Sequence, residues 1–219
     1  MSRASEKATW RVLILAFDGV EALDFAGPFE VFTTASRVAG RLRPGSTPPF
    51  EVASVADAAP GQPVQARAGL QLLASHALAG SPQADLLLVP GGVVDAPLAS
   101  PAVLSWIATQ AAGAQVVASV CTGAFLLAAS GVVTTDAVTT HWEDIADLRA
   151  RFPALDVRAD VRWVDNGRVV SSAGISAGID MSLHLVERLA GRELAERTAR
   201  QMDYAWTRNP AALPANPSA

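Results

Sequence analysis

The chain has 219 residues, half of them apolar and 17% charged, and its 17 basic and 21 acidic side chains give a formal net charge of −4. That content suffices for one substantial core, and the few Lys and Arg are scattered instead of gathered into a stripe, which argues against nucleic-acid binding. A single Cys excludes an internal disulfide, and three His far apart in sequence offer no zinc spacing, so no metal is expected.

The polar N-terminus is followed by an apolar run at 12–17 that is too short for a signal-peptide core or a membrane span, which predicts a cytoplasmic protein without membrane contact. Residues 11–17 read as a strand buried on both faces, followed by a helix at 24–39, a Pro/Gly-rich loop at 43–49 and a second buried strand at 50–56. A small hairpin is predicted at 64–73, a strand at 85–89, a helix at 101–112, a strand at 115–120, and helices at 122–130 and 143–152. Two extended runs at 161–171 flank a turn at Asp165-Asn166-Gly167, a helix follows at 177–189, and 209–219 read as a frayed tail. The alternation predicts a doubly wound α/β fold in one domain, with its core at 9–205 and a sheet that is mixed at one edge.

The strongest local signal is the passage from the strand at 115–120 directly into Cys121-Thr122-Gly123 and an apolar helix. A side chain on such a turn is lifted above the C-terminal edge of the sheet, where open α/β sheets bind ligands. The helix N-terminus beneath it favours thiolate over thiol, so a depressed Cys121 pKa is expected. Gly123 permits close backbone approach behind the turn. A lone intracellular Cys is more often a small buried hydrophobe, and the strand-turn-helix position is what makes Cys121 a candidate nucleophile.

Asp24 stands just past the first strand, ahead of Gly27-Pro28, where helix capping alone would explain it. The alternative is a carboxyl that faces Cys121 across the sheet edge, with a raised pKa, and exchanges protons with substrate. The strand at 85–89 ends in Pro90-Gly91-Gly92, a Gly pair able to turn backbone N–H groups toward developing negative charge, although a plain loop reads the same way.

Together these segments resemble the ThiJ/PfpI superfamily, which has the class I glutamine amidotransferase-like, flavodoxin-like three-layer fold. The resemblance runs in order through Leu23-Asp24-Phe25-Ala26-Gly27-Pro28, Val89 to Gly92, Ser119 to Gly123, Thr139-Thr140-His141-Trp142 and Ser172 to Asp180. Within the superfamily the chain is similar to isocyanide hydratases and to the sensor halves of AraC-type regulators. Thr122 stands where the intracellular-protease branch has a His, and Asp24 stands where many members have Glu. The resemblance implies Cys121 as nucleophile, Asp24 as acid/base and Thr122 as a hydrogen-bonding neighbour. It also implies an anion pocket of N–H groups near Gly92 and Thr122, and a substrate site drawn from Gly91, Gly92, Gly123, His141, Trp142 and Ile175. His141 matches a His near the cysteine in other branches, yet beside Trp142 simple packing explains it as well. Phe25, Phe125 and Trp142 offer an apolar wall or core packing, and His76 and His184 read as solvated or capping residues.

The leading expectation is an isocyanide hydratase-like lyase that needs no cofactor, takes a small-molecule substrate and forms a homodimer. One alternative is a ligand- or redox-sensing module related to the regulator sensor halves, and a second is a glyoxalase-like enzyme. A DNA-reading half would need roughly a hundred residues with helix-turn-helix patterning, and nothing basic follows Arg208, so direct DNA binding is not expected.

Overall fold

Leu13, Ile14, Leu86, Leu87 and Leu88 are fully enclosed in the computed structural model, which describes residues 9–59 and 61–208. They belong to strands with apolar side chains on both faces, and each such burial contributes about 1.5–3 kcal/mol. Strand β1 (Trp10–Ala16) leads through α1 (Ala22–Leu42) to β2 (Phe50–Ala56). The pair β3 (Val64–Gln65) and β4 (Gln71–Leu72), then β5 (His76–Ala77), precede β6 (Leu86–Val89). Helices α2 (Asp95–Leu98) and α3 (Pro101–Gly113) come before β7 (Val116–Val120) and α4 (Gly123–Ala129). The chain continues through β8 (Ala137–Val138), α5 (Ile145–Arg151), β9 (Asp156–Val157), β10 (Trp163–Asp165), β11 (Val169–Ser172), α6 (Ala177–Ala190) and α7 (Arg192–Gln201).

The main sheet has seven strands in the order β10-β11-β7-β6-β1-β2-β5. Every pairing in it is parallel except β10 with β11, so the sheet is mixed at one edge as the turn at Asp165-Asn166-Gly167 predicts. Helices α1, α6 and α7 pack on one another, while α2, α3 and α4 form a second group. This is the α/β, flavodoxin-like arrangement expected from the alternation and the resemblance. Strands β6 and β7 lie side by side near the middle of the sheet, in register from Leu86 against Val116 to Val89 against Ser119. Their C-terminal ends therefore bring Pro90-Gly91-Gly92 beside Cys121-Thr122-Gly123.

Several expectations need correction. The helix expected at 143–152 begins as a 3-10 turn, Trp142–Asp144, before α5. No strand is predicted around His76, yet it lies on the edge strand β5, paired with β2. His184 is not a free solvated side chain, because its Nε2 lies 2.7 Å from Asp165, which also holds Arg188. Helix α7 had no counterpart in the sequence reading, since it buries only Leu194, Ala195, Thr198 and Ala199 among charged neighbours. The tail at 209–219 lies outside the described residues. Among the described residues no helix is long and apolar enough to cross a membrane.

Candidate active site

Cys121 follows the last residue of β7 and takes φ 56°, a left-handed conformation uncommon for a residue with a Cβ. Two buried contacts hold it there. Its N–H donates to the Ser172 carbonyl at 3.1 Å, and its own carbonyl accepts the Thr140 hydroxyl at 2.9 Å. Thr140 belongs to the Thr139-Thr140-His141-Trp142 segment, but nothing in the sequence order places its hydroxyl under the cysteine.

The turn is possible only because glycine occupies both sides of it. A Cβ on Gly91 would stand 2.5 Å from the Thr122 nitrogen and 2.8 Å from the Cys121 Cβ, and one on Gly123 would stand 2.1 Å from the Val89 carbonyl oxygen. Thr122 stitches the same loop to the turn. Its hydroxyl accepts from the Gly92 N–H and donates to the Gly92 carbonyl, both at 2.9 Å.

Asp24 lies in the first turn of α1 but does not cap it. The cap position is Glu21, and the Asp24 carboxylate instead accepts the Gly91 amide at 3.2 Å and the Ile175 amide at 3.0 Å. Those two partners come from the loops after β6 and β11, so three sheet-edge connections converge on one carboxylate that is fully buried. Burial pushes the Asp24 carboxyl up to about 6, against the Ile175 and Gly91 amides, which stabilise its charge. The Cys121 thiol lies close enough for the charge on Asp24 to act on it.

The depressed cysteine pKa expected from the helix N-terminus is not what the site builds. Cys121 is 8% exposed, and burial pushes its thiol up, with the charge on Asp24 pushing the same way and the Thr122 amide pulling against them. Helix α4 has only seven residues, and the neighbouring carboxylate outweighs its end. At neutral pH the pair therefore rests as thiol and carboxylate, with one proton between two acceptors.

A hollow of about 210 Å³ opens over the sulfur, lined among others by Cys121, Thr122, Gly92, His141 and Ile175. Ile175 has φ 54°, a strained value for a β-branched residue, and is 42% exposed. The His141 ring packs on the Gly174 backbone, and its Nδ1 lies 3.5 Å from Glu143 and 3.6 Å from Asp144. Glu21, Arg67, Glu143 and Asp144 also line this hollow. None of these four stood out in the sequence, because surface charge in loops carries no local signature.

Other expected site residues are placed differently. Trp142 is 61% exposed on its 3-10 turn and lines neither this hollow nor the larger one beside it. Gly91 and Gly123 also line neither; they act on packing and on Asp24. The Gly92 amide is committed to Thr122, so the expected anion pocket does not draw on it. Phe25 stacks on Phe29 within α1, whereas Phe125 reaches the larger hollow. Among the described residues no group of three or more His, Cys, Asp or Glu side chains is arranged to hold a metal ion.

The profile of the DJ-1/PfpI family matches residues 10–188. The chain is 35% identical over 193 residues to the isonitrile hydratase of Pseudomonas putida, an alignment that covers 87% of this chain and 77% of that protein. It is 31% identical over 149 residues to the HTH-type transcriptional regulator GbdR of Pseudomonas aeruginosa, covering 68% of this chain and 40% of the regulator. Among solved structures, a ThiJ/PfpI family protein from Pseudomonas syringae superposes with a TM-score of 0.78 at 25% identity, over 94% of this chain and 80% of that one.

Proposed function

This chain belongs to the DJ-1/PfpI family, and on that premise we propose that it hydrates an isocyanide to an N-substituted formamide through a thioimidate on Cys121. The observation that carries the reading is the pairing of a lone thiol with a fully buried carboxyl tuned to about 6, beneath a hollow lined by that same cysteine. A carboxyl with that affinity can take and return a proton near neutral pH.

In this mechanism the thiol proton passes to Asp24 as the sulfur electron pair forms a bond to the terminal carbon of the isocyanide. The electron pair left on that carbon then takes the proton back from Asp24, which gives a thioimidate. Water adds to the same carbon and gives one proton to the nitrogen. The carbon–sulfur bond breaks with its electron pair returning to sulfur, which regains a proton from the new hydroxyl through Asp24, and the formamide leaves. The balance is one isocyanide plus one water, with no leaving group and no oxidant. Asp24 is held for this exchange by the Gly91 and Ile175 amides, so the carboxyl stays in place and its charge is stabilised each time it gives up the proton.

The likeness to the regulator supports a second reading, in which the same pocket binds a ligand without turnover. Oxidative sensing fits poorly, because a buried thiol with a raised pKa carries little of the reactive thiolate. Incubation with para-nitrophenyl isocyanide and a set of aliphatic isocyanides, followed for formamide, separates the readings. Turnover lost in Cys121→Ser with the fold intact supports the hydratase; tight binding without formamide supports the sensor.

A further inference from the structure

The hollow over Cys121, at about 210 Å³, is smaller than the roughly 300–1,000 Å³ of pockets that enclose drug-sized ligands. It has room for a reacting group but little more. Beside it lies a cavity of about 560 Å³, and Gly92, Val93, Thr122 and Asp144 line both, so the two adjoin at the cysteine turn. The larger cavity has an apolar wall made by Val93, Val94, Leu98 and Phe125. Its remaining lining includes Asp95, Asp144, Asp147 and the single cation Arg151. Around the smaller hollow, Glu21, Glu143 and Asp144 outnumber Arg67, which itself pairs with Glu21 at 3.5 Å. The two hollows together therefore present five carboxylates, Glu21, Asp95, Glu143, Asp144 and Asp147, against two guanidiniums, Arg67 and Arg151.

We propose that the larger cavity is the subsite for the organic substituent of the substrate, and that it selects an apolar, uncharged or cationic substituent over an anionic one. The proposal rests on the hydratase reading for the identity of the reacting group. Its two physical parts are separable. The apolar wall formed by Leu98 and Phe125 favours hydrocarbon by removing it from water. The excess of carboxylates focuses a negative potential in a concave site, which lowers the local concentration of anions.

The test compares kcat/KM for ethyl isocyanoacetate and for isocyanoacetate, which share a skeleton and differ in charge. The ester is expected to be preferred by at least about tenfold at low ionic strength, and that preference to shrink at about 0.5 M salt. In Asp147→Lys the preference should fall by about threefold or more. In Leu98→Trp, which fills the cavity, the ratio of cyclohexyl to methyl isocyanide turnover should fall about tenfold. Equal rates for ester and carboxylate, or an unchanged size ratio in Leu98→Trp, would overturn the subsite.

If no isocyanide is turned over, the hydratase reading fails but the subsite is still tested by alkylation of Cys121. N-phenylmaleimide should then label the thiol at least about tenfold faster than 4-maleimidobenzoate, with the difference reduced in Asp147→Lys. Equal labelling rates would overturn the subsite whatever the reaction is.

Discussion

Asp24 and Ile175, 151 residues apart, meet through a 3.0 Å hydrogen bond from the Ile175 amide to the Asp24 carboxylate. Ile175 reaches that position only by taking a left-handed backbone angle, as Cys121 does on the neighbouring loop. Two strained residues thus face one buried carboxyl, and strain of about 1–3 kcal/mol at each must be offset by the surrounding packing.

The proton count of the pair fixes the sign of a pH profile. Above about 6 Asp24 is ionised and Cys121 keeps its proton, which is the form that the proposed hydration starts from. Below that value both groups are protonated, so kcat/KM for isocyanide should fall about tenfold per pH unit as pH drops through the Asp24 pKa. Asp24→Asn should lose about 10²–10⁴-fold in rate and lose this acid limb with it. A limb that persists in Asp24→Asn would assign the titration to another group. Folding responds in the opposite sense: because the carboxyl holds its proton more tightly in the folded state, the stability contributed by protonated Asp24 is complete below about 3.8 and lost as pH rises toward 6.

The Thr122 hydroxyl makes a reciprocal pair of hydrogen bonds with Gly92 and so ties the Pro90-Gly91-Gly92 loop to the residue after the cysteine. Thr122→Val keeps the shape and removes both bonds, leaving a half-buried N–H and a carbonyl unpaired at a cost of about 1–3 kcal/mol. Because Gly91 in that loop also positions Asp24, kcat should fall together with the denaturant midpoint, while Thr122→Ser should retain both. A Thr122→Val protein with normal stability would mean that water replaces the hydroxyl.

What could be read in advance follows from range. Strands β1, β2, β6 and β7 were legible because burial on both faces demands unbroken apolar runs, and the strand-turn-helix around Cys121 because it is contiguous. Asp24 was ambiguous because capping and proton transfer use the same residue type, and the partners that take it away from capping, Gly91 and Ile175, come from distant loops. The direction of the Cys121 pKa was misread because a helix end can be inferred locally, whereas burial and a carboxylate brought by another loop cannot. Helix α7 escaped notice because four small or apolar side chains are enough to seat it on α1 and α6.

Asp180, in the first turn of α6, is fully buried and has a structural task that the Ala177-Gly178-Ile179-Asp180 motif does not reveal. Its carboxylate pairs with Arg162, which is 14% exposed, and accepts the Thr207 amide at 2.8 Å, while its backbone carbonyl accepts the Trp206 indole N–H at 3.3 Å. The Tyr204 hydroxyl lies nearby and donates to the Ser176 carbonyl at 3.4 Å. One side chain thus ties α6, the segment before β10 and the chain leaving α7. Asp180→Asn keeps the volume but strands the Arg162 cation away from water, which should cost about 3–5 kcal/mol. For a chain of this size that lowers the melting temperature by about 6–20 °C, measurable by calorimetry. Replacing Arg162 and Asp180 together by Met and Leu should recover much of the loss, because the unpaired charge is gone. A double variant no more stable than Asp180→Asn would show that the hydrogen bond from Thr207, and not the ion pair, holds this corner of the fold.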